Sequence, residues 1–214
     1  MIKMKKKLLC ISPHTDDIEL GAGGFISRYS EKYELFYLTF CRYPHPDSGI
    51  QRDTYYKEAN LSLNQLKFKQ DKEHRIFYEY EIRTLIDNRQ AILQEMINVR
   101  DVINPNIVIC PSTCDTHQDH QAVVQETKRC FKKRCTILGY ELSWNHFQFT
   151  NDMYIELEEE HIKNKARSLS CYKSQENKVY LKEDFQRSLA SIRGVQSGCK
   201  YAECFEVIRI YDGL

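Results

Sequence analysis

Two short polar segments carry the side chains best suited to chemistry in this chain. Residues 12–17 read Ser-Pro-His-Thr-Asp-Asp, and residues 117–120 read His-Gln-Asp-His. In each segment, imidazoles and carboxylates lie within about one turn of each other. A catalytic zinc ion takes three protein ligands from such side chains and leaves a position for water. Together the two segments predict a hydrolytic metal site.

Each polar segment follows an apolar run that is typical of a buried strand. These runs are residues 7–11 and residues 107–110. Short aliphatic runs without alternation indicate strands of a parallel sheet that is buried on both faces. In an open α/β sheet, ligands bind beyond the carboxyl ends of the strands. We therefore expect both segments to lie in loops that meet at one site, although about a hundred residues separate them.

The segments supply more donors than one ion needs. His14 and Asp17 are three residues apart and, with His120, would form a set of three ligands. Asp16 would then be free to take a proton from the attacking water, and His117 to protonate the leaving amine or stabilise the oxyanion. The residues alone do not decide which of the two adjacent aspartates is the ligand and which is the base.

Asp119 lies between the two histidines of the second segment. A carboxylate in that position can fix the tautomer of a neighbouring imidazole by accepting its N–H. We therefore assign Asp119 a supporting catalytic role.

At these residues the chain resembles the LmbE/PIG-L-type zinc-dependent N-deacetylases, in particular a bacterial LmbE-like subgroup. Their signature is a strand followed by Ala/Pro-His-Pro-Asp-Asp-Glu, and then a distant His-x-Asp-His. The resemblance implies that His14, Asp17 and His120 bind one Zn²⁺ per chain. It also implies that Asp16 is the general base and that His117 is the acid or oxyanion stabiliser. The fold implied is an α/β, Rossmann-like three-layer sandwich with a mainly parallel sheet.

The similarity extends over most of the chain, with two departures in the first segment. It includes Arg52, residues 58–59, residues 104–108, residues 193–194 and residues 201–205. Thr15 stands where the family usually has Pro, and Ile18 where it usually has Glu, with Glu19 one place later. Neither position belongs to the ligand set, so the metal prediction does not depend on them.

Two loops are expected to shape a substrate pocket. Residues 41–51 are rich in turn-forming residues, and residues 144–149 carry aromatic side chains. Aromatic faces and charged groups commonly bind sugars, which makes Arg52, Trp144 and Asn145 candidate substrate-binding residues. Ordinary core packing accounts for Trp144 equally well.

The glycines at 21, 23 and 24 begin like a dinucleotide-binding fingerprint. Ile26 occupies the third glycine position, however, and the preceding strand ends too far away for the tight turn that the fingerprint requires. We interpret these glycines as sites of close packing at the start of a helix.

Composition narrows the class of protein. The 214 residues suit a single domain spanning residues 1–214, and 31 Lys and Arg against 30 Asp and Glu give a net charge of +1. Nucleic acid is therefore not an expected partner. Nine cysteines, none in a C-x-x-C pair, indicate a reduced chain. The basic start is followed by too short an apolar run for a signal peptide, and no run approaches the ~20 apolar residues of a membrane span. We expect a cytoplasmic protein.

The remaining pattern alternates strands and helices. It predicts strands at residues 35–38, 75–77, 136–142 and 204–211, and helices at residues 54–67, 122–131 and 158–172, with a further helix ending before Asn104.

From these observations we predict a metal-dependent hydrolase that removes an N-acetyl group from an N-acetylated amino sugar or its nucleotide-, lipid- or glycoside-linked conjugate. One alternative is a zinc amidase acting on another N-acyl compound, and another is a non-catalytic metal-binding protein on the same fold. Iron(II) is an alternative to zinc because His and carboxylate ligands suit both. A homo-oligomer is compatible with the sequence, which does not determine the oligomeric state.

Overall fold

A sheet of seven strands lies between two layers of helices in the computed structural model, which describes residues 5–133 and 135–211. The strands are β1 (Lys6–His14), β2 (Tyr33–Cys41), β3 (Arg75–Phe77), β4 (Ile107–Pro111), β5 (Thr136–Tyr140), β6 (Met153–Leu157) and β7 (Tyr201–Arg209). The α-helices in the same ranges are α1 (Asp17–Tyr29), α2 (Thr54–Gln65), α3 (Arg89–Ile103), α4 (Gln118–Phe131), α5 (Glu159–Leu169) and α6 (Glu183–Ser197).

The sheet is mainly parallel, as the sequence predicted. Its order is β3-β2-β1-β4-β5-β7-β6, and the pairs from β3 to β5 are parallel. β7 runs antiparallel to both β5 and β6. The predicted Rossmann-like three-layer α/β fold is therefore confirmed.

The two faces of β1 pack against different helices. Leu8 and Cys10 belong to the core formed with α1, α2 and α5, whereas Leu9 and Ile11 belong to the core formed with α3 and α4. Successive side chains of a strand point to opposite faces, so a strand covered on both sides needs an unbroken apolar run. This is why the runs before the two polar segments do not alternate.

The glycines of α1 allow this helix to pack closely on the sheet. A Cβ atom on Gly21 would lie 2.4 Å from Tyr140 Cδ2, and one on Gly24 would lie 2.4 Å from Leu157 Cδ1. The prediction that these glycines serve packing is confirmed.

Several element boundaries differ from those predicted. β1 continues to His14 and α4 begins at Gln118, so both polar segments lead directly into helices and are not loops. The helix predicted at residues 158–172 ends at Leu169. The sequence pattern did not indicate β6 or α6; β6 is partly exposed, and α6 buries only Gln186, Ala190 and Gly194.

Three further observations concern the composition. All nine cysteines are free thiols. Within residues 5–133 and 135–211, no helix is both long enough and apolar enough to cross a bilayer. Residues 1–4 of the basic N-terminal segment lie outside the described residues.

Candidate functional site

The pairing of β1 with β4 brings the two polar segments together. The strands are parallel neighbours, with Leu8 opposite Ile107. His14 is the last residue of β1, and His117 is the N-cap of α4, six residues after the end of β4 at Pro111. Because both strands end at the same edge of the sheet, the side chains after them converge.

Three donor atoms form a nearly equilateral triangle at this edge. Asp17 Oδ2 is 3.2 Å from His14 Nδ1 and 3.2 Å from His120 Nε2. The two imidazole nitrogens are also 3.2 Å apart. We call His14, Asp17 and His120 the triad. The structure thus brings together the three residues that the sequence predicted as ligands.

The triad fits a small divalent cation. Ligand atoms placed tetrahedrally at about 2.0–2.1 Å from zinc lie about 3.3–3.4 Å from one another. The triad distances match this spacing, and two nitrogens with one carboxylate oxygen are suitable zinc donors. A second set is also available, since the ring nitrogens of His14, His117 and His120 lie within 4.8 Å of one another.

A buried carboxylate supports each imidazole of the triad on the side away from its centre. Asp119 Oδ2 is 2.9 Å from His14 Nε2, and Asp115 Oδ2 is 2.8 Å from His120 Nδ1. A carboxylate in this position accepts the ring N–H and leaves the other ring nitrogen with a free lone pair. When the two rings are neutral, the lone pairs of His14 Nδ1 and His120 Nε2 are therefore directed into the triad.

Backbone donors hold both carboxylates in place. Asp119 accepts N–H bonds from Arg83 at 2.7 Å and Leu85 at 3.1 Å, and Asp115 accepts one from His117 at 2.8 Å. Asp115 was not among the predicted site residues. Asp115 lies five residues before His120, just ahead of the start of α4. This short distance in the sequence was the signal that could have identified it.

The triad stabilises positive charge strongly. Burial lowers the pKa of His14, but Asp17 and then Asp119 outweigh this effect and raise that pKa to about 9. Burial likewise lowers the pKa of His120, while Asp17 and Asp115 raise it to about 10. Burial would raise the pKa of Asp17, yet His120 and His14 hold it well below its usual range. A site that favours cations to this degree suits a metal ion.

His117 differs from the other two histidines because it stays neutral. Burial, followed by the charges of His120 and His14, lowers the pKa of His117 to about 4. Its Nδ1 accepts the backbone N–H of Asp119 at 3.1 Å, which caps α4. The single ring proton is therefore on Nε2. His117 can act as a neutral hydrogen-bond donor.

Asp16 is buried beside Asp17 and is not one of the residues lining the adjacent cavity. Burial and the charge of Asp17 raise the pKa of Asp16, and the charge of Lys178 lowers it in part. Lys178 does line the cavity, so the carboxylate of Asp16 lies near that wall. A raised pKa favours proton acceptance near neutral pH.

Glu19 supports the first segment from the core. Its Oε1 lies 2.8 Å from the hydroxyls of Ser62 and Tyr172, and burial raises the pKa of Glu19 to about 8. The hydroxyl of Tyr172 also donates to the carbonyl of Thr15 at 2.6 Å. Glu19 thus acts through Tyr172 on the two-residue turn, Thr15 and Asp16, that joins β1 to α1.

A cavity of about 300 Å³ opens over the triad. The described residues that line it are His14, Asp17, Leu20, Tyr55, Ile82, Arg83, His117, His120, Trp144, Asn145, Gln175, Lys178 and Tyr180. Of the predicted substrate-binding residues, Trp144 stacks on Tyr180 with 4.0 Å between ring centroids, and Asn145 Nδ2 donates to Asp115 at 3.4 Å. Arg52 lies outside the lining, where it stacks on Tyr43 and approaches Glu79 at 3.5 Å.

Comparison with known proteins identifies relatives of this architecture. The sequence model of a protein family described as PIG-L, GlcNAc-PI de-N-acetylase, matches residues 9–131, which is more than half of the chain. A protein of Escherichia coli K12 described as uncharacterized deacetylase YaiS is 27% identical over 174 residues, covering 79% of this chain and 92% of the relative.

Two solved structures show the same fold at low sequence identity. N,N'-diacetylchitobiose deacetylase from Pyrococcus horikoshii has a TM-score of 0.71 and 19% identity, covering 95% of this chain and 84% of that one. The zinc-inhibited form of teicoplanin deacetylase Orf2 has a TM-score of 0.76 and 15% identity, covering 97% of this chain and 100% of that one.

Proposed function

Since this chain belongs to the PIG-L family of de-N-acetylases, we propose that it hydrolyses the N-acetyl group of an acetylated amino sugar or its conjugate at the cavity over the triad. The observation that carries the proposal is the triangle of His14, Asp17 and His120 with a neutral histidine beside it. The named relatives include a deacetylase of a diacetylated sugar, which supports a sugar substrate.

We assign the triad to one divalent metal ion, zinc in the first instance. When bound, such an ion would act as a Lewis acid toward the amide carbonyl and would acidify the attacking water. Asp115 and Asp119 keep the lone pairs of the two imidazoles directed toward it. Because zinc inhibits the teicoplanin deacetylase named above, the metal test must include iron(II) and other divalent ions.

Asp16 serves as the general base in this proposal. Its raised pKa matches the task of taking a proton from water near neutral pH. The nearby ammonium of Lys178 stabilises the carboxylate before the transfer. The same carboxyl group, once protonated, can act as general acid and give that proton to the nitrogen of the departing amine.

His117 serves as a donor to the oxyanion. The lowered pKa makes an imidazolium unfavourable, so the oxyanion role suits the structure better than the role of acid. Its Nε2–H is fixed by the bond that Nδ1 accepts from the helix. A donor that is already oriented stabilises developing negative charge without further reorganisation.

The decisive experiment is primary-amine release by the purified chain from free, nucleotide-linked and lipid-linked N-acetylhexosamines, with and without added metal. We expect metal-dependent release from one of these classes. Asp16→Asn should keep its metal and lose most turnover, whereas His120→Ala should lose the metal. Full turnover in Asp16→Asn would refute the base assignment.

Two outcomes would favour the alternatives. Release from other N-acyl compounds, but not from acetylated sugars, would indicate an amidase of different substrate class. A bound metal with no release from any amide would indicate a non-catalytic metal-binding protein. For the ligand set, metal retained in His117→Ala supports the triad, and metal lost in that variant supports the three-histidine set.

A further inference from the structure

Two cationic side chains line the cavity in addition to the residues of the triad. Apart from the triad and His117, the charged side chains lining the cavity among the described residues are Arg83 and Lys178, both cationic. Tyr55, Gln175 and Tyr180 add polar groups to the lining of the same cavity. Within this described lining, Asp17 is the one carboxylate, and it is engaged by both imidazoles. The chain as a whole has a net charge of only +1, so this concentration of positive charge is local.

Arg83 has an unusual backbone conformation. Its φ is +73°, in the left-handed region, which the Cβ atom of any residue other than glycine disfavours. The other two non-glycine residues with positive φ in the described ranges are Lys67 and Asn104, which follow the ends of α2 and α3. Such helix ends commonly adopt this conformation. Arg83 lies instead in the loop between β3 and α3.

The backbone at Arg83 already has a function that explains the positive φ. The N–H groups of Arg83 and Leu85 both bind the carboxylate of Asp119, which supports His14. Glycine would make the same backbone bond without strain, because it adopts positive φ readily. The supporting role therefore does not account for an arginine side chain at this position.

The guanidinium of Arg83 belongs to an exposed residue and has no partner among the described residues. Across residues 5–133 and 135–211 its side chain makes no hydrogen bond or ion pair, although it lines the cavity. Other arginines of the described ranges have carboxylate partners: Arg42 and Arg52 approach Glu79, and Arg193 binds Glu141. A planar guanidinium offers paired N–H donors that match the oxygens of a phosphoryl or carboxylate group.

We propose that Arg83, aided by Lys178, binds an oxyanionic substituent of the substrate, so that this enzyme acts on an acylated amino sugar that carries a phosphoryl or carboxylate group. The inference deepens the proposed function and rests on it for the identity of the sugar. Lys178 also faces Asp16, and the amide of Gln175 accepts a hydrogen bond from its ammonium. Arg83 is therefore the residue with which the anion subsite is best tested.

The first arm of the test measures binding without turnover. In the Asp16→Asn background, calorimetry would compare N-acetylglucosamine 1-phosphate, the corresponding uridine diphosphate sugar, N-acetylmuramic acid and the neutral methyl glycoside. We expect at least one anionic ligand to bind about ten- to hundredfold more tightly than the neutral glycoside, as a charge-assisted, bidentate contact would give. Equal affinity for all four ligands would overturn the proposal. Comparing the affinities of the two phosphate-bearing ligands with that of N-acetylmuramic acid shows whether the subsite prefers a phosphoryl or a carboxylate group.

The second arm assigns the preference to Arg83. Arg83→Gly removes the guanidinium and relieves the strained φ, so loss of folding is not expected. Lys67→Gly is the matched control, because it also removes a cation at positive φ, 63°, but lines a different pocket. We expect the anion preference to fall about tenfold or more in Arg83→Gly and to persist in Lys67→Gly. Persistence in Arg83→Gly would overturn the proposal.

The experiments distinguish a failure of the proposed deacetylase function from a failure of the proposed anion subsite. Anion-selective binding that depends on Arg83, with no amine release from any ligand by the unsubstituted enzyme, would uphold the subsite and refute the deacetylase function. Amine release with equal kcat/KM for neutral and anionic substrates would uphold the function and refute the subsite.

Discussion

Replacing Asp115 with Asn is expected to weaken metal binding, because this carboxylate fixes the tautomer of His120. Asp115 is buried, with Oδ2 2.8 Å from His120 Nδ1 and Oδ1 2.8 Å from the backbone N of His117. Both neighbours are donors, and a carboxylate accepts from both. Asn has nearly the same shape but only one accepting oxygen.

The amide side chain introduced by Asp115→Asn has two orientations, and each has a cost. If its oxygen faces the backbone N–H, its amide N–H₂ faces His120 Nδ1, and the ring proton must move to Nε2, which removes the lone pair from the triad. Loss of such a supporting contact typically weakens metal binding about 10- to 100-fold, or about 1.4–2.7 kcal/mol. If the oxygen faces His120, the buried N–H of His117 loses its partner, at a cost of about 1–3 kcal/mol in folding free energy.

Competition with a chromophoric chelator would measure the metal affinity, and urea unfolding would measure the free energy of folding. Glu206→Gln is the matched control, because that carboxylate accepts from Ser112 Oγ at 2.8 Å and Thr113 N at 2.7 Å in the same segment without contacting His120. The control should affect stability only. A metal affinity within twofold of the original protein's, together with an unchanged free energy of folding in Asp115→Asn, would refute the reasoning.

Three further predictions concern the pH dependence of metal binding, the role of His117 and the packing of α1. The pKa of His14 is raised to about 9 and that of His120 to about 10, so at least one ring must release a proton when metal binds. The apparent zinc affinity, measured by chelator competition, should therefore rise about tenfold or more per pH unit from pH 6 to 8. An affinity that does not change with pH would contradict these pKa shifts. His117→Ala should retain metal and lose about 10²–10³-fold in kcat in the amine-release assay, the usual effect of deleting an oxyanion donor; an unchanged kcat would exclude that role. Gly21→Ala should cost about 1–3 kcal/mol in urea unfolding, since the new Cβ would lie 2.4 Å from the buried ring of Tyr140, whereas unaltered stability would mean that the ring can move aside.

The sequence predicted the fold and the site best where the local hydrophobic pattern is set by the same packing that forms the sheet. The unbroken apolar runs of β1 and β4 predicted a doubly covered parallel sheet, and the spacing of polar residues after them predicted which side chains converge. α6 escaped prediction because its buried positions include Gln186 and Gly194, while Ile192 and Val195 are exposed. Its position depends on packing against β7, which hydrophobic periodicity does not reveal.

The cavity wall was less predictable than the triad. Arg83 and Lys178 come from separate loops, one before α3 and one after α5. Neither belongs to a local motif, and only the fold places them over the same cavity. Arg52, which the sequence suggested as a substrate-binding residue, remains a prediction, with its guanidinium directed to Tyr43 and Glu79.

The order of the strands explains why residues so distant in sequence can form one site. β1 and β4 are neighbours, but α1 packs on the face that contains Leu8, whereas α4 packs on the face that contains Leu9. The chain therefore leaves the two strand ends in opposite directions and opens a crevice between them, as at the ligand-binding switch points of other α/β sheets. A slip of one residue between the strands would displace the segments by about 3.3 Å, as much as the 3.2 Å that separates the triad atoms. The apolar packing that fixes this register is thus what sets the spacing of the donors, and the metal-binding geometry is a property of the core as much as of the ligands.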